Sequence, residues 1–300
     1  MNTQDYIIAS HRIRVEGERL SDAISTTPGF YKFKADKESD PVGRFLEDEE
    51  LKINTKEVRN DYSLIPGIDK ILYTDGNEIA ESCFGTLKDG GFIFASFSNS
   101  DDSVLFVNTD EDGKISRFSG NYTEHLLKFA CWMAYGLAVL KYQTVALHAS
   151  TILYEGKAIL FLGESGTGKS TQTRLWRENI EGAVLLNDDS PILRIENSHA
   201  IAYGSPWSGK MHCYINEGYP VAACVRLFQA PHNKIYRLGI HQAFAALHPS
   251  CPPPFAYDDK LYDYITEFLS GLLAEVPVYH MEALPNAEAA ELVRDTIFGR

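Results

Sequence analysis

The sequence predicts a mixed α/β (α+β) protein in two domains, a β-rich acidic N-terminal domain over residues 1–118 and an α/β domain over residues 119–300. Three observations carry this. Period-two apolar patterns recur in short pieces before residue 118, at Lys70–Tyr73, Phe92–Phe97, Ser103–Val107 and Lys114–Phe118, the spacing of half-buried strands. The apolar run Phe129–Leu140 reads as a buried helix at the head of the second domain, too short for the ~20 residues of a membrane span. Finally, the apolar segment Lys157–Leu162 leads directly into a glycine-rich loop and then a helical stretch.

Composition sets the outer limits. With 300 residues, 44% hydrophobic and 23% charged, the chain is long enough for two cores. Residues 1–118 hold 23 acidic against 14 basic residues, a balance of −9 that leaves −4 of the total −13 for the rest. Nucleic acid and acidic membranes are therefore excluded as expected partners, because both are gripped by clustered Lys and Arg. No basic segment followed by an apolar stretch opens the chain, so no secretory signal is expected. The five cysteines are scattered without metal-ligand spacing, which fits free thiols and a cytoplasmic location.

In order along the chain, the connectors Asp75-Gly76-Asn77, Asp89-Gly90-Gly91 and Asp110 to Gly113 are turn formers between the front strands. The acidic run Glu47–Glu50 reads as a solvated face. Past the helix at 122–141, strands are expected at Thr144–Leu147 and Ser150–Tyr154, a two-residue turn at Glu155-Gly156, and a strand at Lys157–Leu162. A helix follows over Ser170–Glu178, then a buried strand at Ala183–Leu186 ending in Asn187-Asp188-Asp189. A hairpin pairs Ile192–Ile195 with Ala200–Tyr203, strands follow near Ala223–Phe228 and Lys234–Leu238, and helices near 240–247, 258–274 and 286–298 complete the chain.

Chemistry concentrates in the second domain. Gly163, Glu164, Ser165, Gly166, Thr167, Gly168, Lys169 and Ser170 fit G-x-x-x-x-G-K-[ST] in full, between a strand and a helix. Glycines let the chain curl so that successive N–H groups face phosphate oxygens, and the following helix adds its positive dipole end. Lys169 supplies a charge to the outer phosphates, the Ser170 hydroxyl is a ligand for Mg²⁺, and Thr171 completes the nucleotide-binding set. Asp188 and Asp189 close the next apolar strand, nineteen residues after Lys169. Neighbouring carboxylates on an extended backbone point to opposite sides, so they are suited to divide metal binding and proton acceptance. His148 precedes the strand at 150–154. The stretch Tyr203–Lys210 is a candidate phosphate cover in which Lys210 neutralises charge, and Arg226 and Arg237 are candidate phosphate or acceptor contacts.

With these residues in view, the chain resembles the P-loop superfamily shared by HPr kinase/phosphorylase and phosphoenolpyruvate carboxykinase, especially the HPr-kinase-like branch. His148 lies fifteen residues before Gly163, the full loop follows, and a short hydrophobic strand then closes on Asp188-Asp189. The resemblance covers about 120 to 240. It implies a P-loop kinase core, Lys169 and Ser170 on phosphates and metal, Asp188 as catalytic base, Asp189 assisting the metal, and His148 supporting the acidic site.

The reading is an ATP- and Mg²⁺-dependent phosphotransferase acting on a hydroxyl of an unidentified protein, peptide or small molecule. Two alternatives stay open: a non-catalytic nucleotide-binding accessory or sensor, and a phosphoenolpyruvate carboxykinase-like enzyme. Self-association as a homo-oligomer also stays open.

Overall fold

The computed structural model describes residues 2–37, 39–76, 80–98, 103–108, 113–209 and 211–300. The chain divides into two compact units, one of residues 1–142 and 254–262, the other of 143–253 and 263–300.

The first unit is built on a nine-stranded sheet: β1 (Thr3–Ile8), β2 (His11–Glu16), β3 (Lys34–Ala35), β4 (Gly43–Glu47), β5 (Ile68–Gly76), β6 (Ala80–Leu87), β7 (Phe92–Ser98), β8 (Ser103–Asn108) and β9 (Ile115–Gly120). Their spatial order is β3-β1-β2-β4-β9-β8-β7-β6-β5. From β5 to β9 the chain meanders, each strand antiparallel to the last, whereas β4 runs parallel to both β2 and β9. Alternation puts one aromatic per strand on a common face. Phe94, Phe106, Phe118 and Phe45 form a ladder of rings 5.2–5.5 Å apart across β7, β8, β9 and β4. Helices α1 (Glu18–Thr26), α2 (Thr55–Asn60) and α3 (Glu124–Val139) complete the unit.

The apolar run expected to open the second domain is α3, and it belongs to the first unit, so the division falls after it and not at 118/119. The reason is packing: Phe129 meets Phe94 edge to face at 5.3 Å, and the Tyr135 hydroxyl donates to the Ile8 carbonyl at 3.1 Å. The acidic run is only partly solvated. Glu47 pairs with Arg19, and Asp48 accepts from the Glu50 and Leu51 amides. The turn expected at Asp110–Asp112 lies outside the described residues.

The second unit contains β10 (Thr144–Ala146), β11 (Ala149–Tyr154), β12 (Lys157–Leu162), β13 (Val184–Asp189), β14 (Ile192–Glu196), β15 (His199–Tyr203), β16 (Gly218–Gln229), β17 (Lys234–Arg237) and β18 (Val278–Ala283). Strands run β10-β14-β15-β16-β12-β11-β13, with β18 paired to both β16 and β17. β11 and β12 form the expected hairpin, whose turn residues Glu155 and Gly156 have φ of 48° and 71°. β16 lies parallel to β12 and to β18. The strand β18 is an addition to the sequence reading.

Four helices belong to this part of the chain: α4 (Lys169–Asn179), α5 (Ile240–Leu247), α6 (Asp259–Glu275), whose first residues group with the first unit, and α7 (Ala287–Phe298). α4 and α7 bury Leu175, Trp176, Ala290 and Val293 against Ile159, Phe161, Val225 and Met281 of the sheet. A Trp176 with no solvent exposure fixes α4, and through it the loop at its N-terminus. No helix among the described residues is long and apolar enough to cross a membrane.

Candidate functional site

The loop 163–168 joins β12 to α4, as the strand-loop-helix spacing predicts. Gly163, Gly166 and Gly168 have φ of 152°, 82° and 109°, and a Cβ on Gly163 would collide with the Thr167 side chain. The curl is closed from within, where the Thr167 amide and hydroxyl both donate to the Glu164 carbonyl, at 3.2 and 2.9 Å. Gly168 caps α4 in the left-handed conformation with no side chain over the first turn, leaving that turn's N–H groups directed outward.

Lys169 Nζ donates to the carbonyls of Gly163 (2.7 Å) and Glu164 (3.1 Å) and to His148 Nε2 (2.9 Å). His148 Nδ1 then lies 3.2 Å from Asp189 Oδ1. A lysine donor at Nε2 leaves the ring proton on Nδ1, facing the carboxylate. Burial lowers the Lys169 pKa below the ordinary lysine value; Arg226 adds to this, while Asp189, Glu164 and Asp188 oppose it.

The two aspartates part as neighbours on an extended strand should. Asp188 is 3% exposed, and its Oδ1 accepts from Ser170 Oγ at 2.9 Å and from Ser150 Oγ at 2.8 Å. Ser150 comes from β11, whose antiparallel register with β13 sets it opposite Asp188, and it also lies 3.2 Å from Thr173 Oγ1 on α4. The Asp189 side chain is 51% exposed and stands beside His148. Its φ of 137° is a strained value for a residue with a Cβ.

The stretch expected to cover phosphates instead wraps the end of β13. Ser208 bridges to Asp189, and the Gly209 amide donates to the Asp188 carbonyl, an approach only glycine allows because a Cβ would sit 2.8 Å from that oxygen. Asn187 anchors the wrap, donating to Ser205 Oγ at 3.1 Å and accepting from the Ser190 amide at 2.9 Å. Lys210 lies outside the described residues.

Arg226, on β16 in register with Leu162, reaches the loop through a 2.8 Å contact with Glu164 and donates to the Ala246 carbonyl at 3.4 Å. Arg237 is not brought to the loop. It ends β17, three strands from β12, roughly 14 Å at ordinary strand spacing. Sequence reasoning missed Ser150, Thr173 and Gln229, whose amide donates to the Gly166 carbonyl at 2.9 Å. A partial signal existed for Ser150, which follows His148 by two residues.

Mg²⁺ is held through one or two carboxylates together with phosphates and water. The Ser170–Asp188 pair fits such a partial shell. Among the described residues no group of three or more His, Cys, Asp or Glu could hold a cation unaided, so phosphate oxygens would have to complete it.

The fold is thus a mixed α/β one with two sheets, and the second unit carries the glycine loop 163–168 two strands from the acidic end of β13. No family model matches the sequence, and no curated protein matches it. Among solved structures it is similar to the HPr(Ser) kinase/phosphatase from Coxiella burnetii, at 13% identity and a TM-score of 0.30, over 51% of this chain and 94% of that one. A likeness of that size bears on neither activity nor substrate.

Proposed function

We propose that the second unit is an ATP- and Mg²⁺-dependent phosphotransferase whose acceptor is a hydroxyl group. The observation that carries the reading is the pair of linked chains around the loop: Ser170 and Ser150 on buried Asp188, and Lys169 through His148 to exposed Asp189. The first chain suits a metal-facing position, because Asp188 is withdrawn from solvent and orients the hydroxyl that would ligate Mg²⁺. The second suits proton acceptance, because a base must touch an acceptor arriving from outside.

This division reverses the one implied by the family resemblance, which gave Asp188 the base role and Asp189 the metal role. In the proposed step the acceptor hydroxyl gives its proton to Asp189 as its oxygen bonds to the γ-phosphorus and the β–γ bridge bond breaks. His148 donates to Asp189 and fixes its direction. Lys169 exchanges its loop carbonyls for phosphate oxygens, where its charge offsets that developing on the transferred group. Mg²⁺, when bound, would neutralise the β- and γ-oxygens.

The test is transfer of labelled γ-phosphate from ATP in an extract of cellular proteins and metabolites. The reading requires labelling that Asp189→Asn abolishes while nucleotide affinity is kept. Tight binding with no labelling of any acceptor would favour the sensor alternative.

A further inference from the structure

Three rings stack across three neighbouring strands beside the loop. Phe228 on β16 lies 4.4 Å from His280 on β18 at an interplanar angle of 20°, and His280 lies 4.9 Å from Tyr236 on β17 at 23°. Phe228 is 45% exposed and Tyr236 42%, while His280 is sandwiched between them. Large exposed aromatics in parallel array are costly to leave in water.

Their position is specific. Phe228 is two residues beyond Arg226, so both side chains leave β16 on the same face, and Arg226 pairs with Glu164 of the loop. The next residue, Gln229, is hydrogen-bonded to Gly166 of the loop. The stack therefore begins one strand from the phosphate nest, on its β16 flank. The acidic end, Asp188 and Asp189, lies on the other flank, beyond β11. A nucleotide with its γ-phosphate toward Asp189 leaves its nucleoside on the β16 side. β16 and β18 are one and two strand spacings from β12, roughly 5 and 10 Å, the range a ribose and base can span.

We propose that the outer face of Phe228, backed by His280 and Tyr236, is the seat of the nucleotide base. The base extends the ladder as a fourth ring and stacks without reading its identity, since every base has a π-face. This rests on the phosphate-site reading and adds the part of the ligand that the loop does not touch.

The test is calorimetric titration of the full chain with Mg-ATP and with Mg-tripolyphosphate, which carries the phosphates without a base. Wild type is expected to bind ATP about tenfold tighter than tripolyphosphate, in line with base stacking on one aromatic ring. Phe228→Ala is expected to remove that difference and leave tripolyphosphate affinity unchanged, whereas Phe228→Tyr keeps it. Because Phe228 is exposed, loss of fold is not expected, and a thermal melt of each variant checks this. If ATP and tripolyphosphate bind wild type alike, or Phe228→Ala leaves ATP affinity intact, the base seat is overturned while the phosphate site stands. If wild type binds neither ligand, both fall together.

Discussion

Replacing Asp188 by Asn keeps the shape of the side chain and removes its charge, which separates the roles of the two aspartates. In the folded chain Asp188 Oδ1 accepts from Ser170 at 2.9 Å, a part-buried bond, and from Ser150 at 2.8 Å, a buried one. A hydrogen bond to a charged group contributes ~1.5–3 kcal/mol and a neutral one ~0.5–1.5, so each bond weakens by about 1 kcal/mol. Two such losses weaken the Ser150–Asp188–Ser170 chain as a whole by about 2 kcal/mol, about 30-fold in an equilibrium constant. Asp188→Asn should therefore raise the Mg²⁺ concentration needed for half-maximal ATP binding by about that factor. Asp189→Asn should leave it nearly unchanged, because the half-exposed Asp189 carboxylate faces His148 and not Ser170. The assay is ATP binding followed across a Mg²⁺ series for wild type and both variants. A raised Mg²⁺ requirement in Asp189→Asn, with none in Asp188→Asn, would refute the division of roles.

Two further outcomes concern charge. The Asp5 side chain is fully buried between Arg12 and Arg14, at 3.0 and 2.8 Å. Burial alone would raise its pKa, but the two guanidiniums outweigh it and hold it below the usual carboxylate value. Its contribution to stability is then complete above pH 3.8 and lost as pH falls through the lower folded value. Asp5→Asn should cost about 3–5 kcal/mol in urea unfolding at neutral pH and should lack that acid-side loss; a change below 1 kcal/mol would show the pair to be structurally idle. At Lys169 burial favours the uncharged amine, and the protonated form is the one that binds phosphate. ATP affinity should therefore fall as pH rises through a midpoint below the ordinary lysine value of 10.5, and a flat profile to that pH would contradict it.

What was legible in the sequence was local. The hairpin β11–β12, the loop and α4 carry their own signals in Glu155-Gly156, three glycines and an apolar strand, and the structure places them at 149–179. In the first unit β1, β2 and β4 were not legible, because β4 pairs in parallel with strands distant in the sequence and no turn residue announces such pairing. β18 was hidden between Pro277 and Pro285 and joins the sheet only through β16 and β17. α3 was legible as a helix but not in its allegiance, which Phe94 and Ile8 decide from far upstream.

At the site, the loop and the Asp188-Asp189 pair stood out through motif and spacing. Ser150 did not, because only the β11–β13 register brings it to Asp188, and that register is a long-range fact. Arg226 and Arg237 looked equivalent as strand arginines. Their separation follows from strand order, with β16 adjacent to β12 and β17 three strands away.

The most direct test of the central claim is calorimetric titration of Mg-ATP into wild type and Lys169→Met. Wild type should bind with one site per chain. The variant loses about two charge-assisted bonds to phosphate, at least about 3 kcal/mol, and should bind at least about 100-fold more weakly while remaining folded. Equal affinity in the two proteins, or no binding by wild type, would contradict the assignment of residues 163–170 as a nucleotide site.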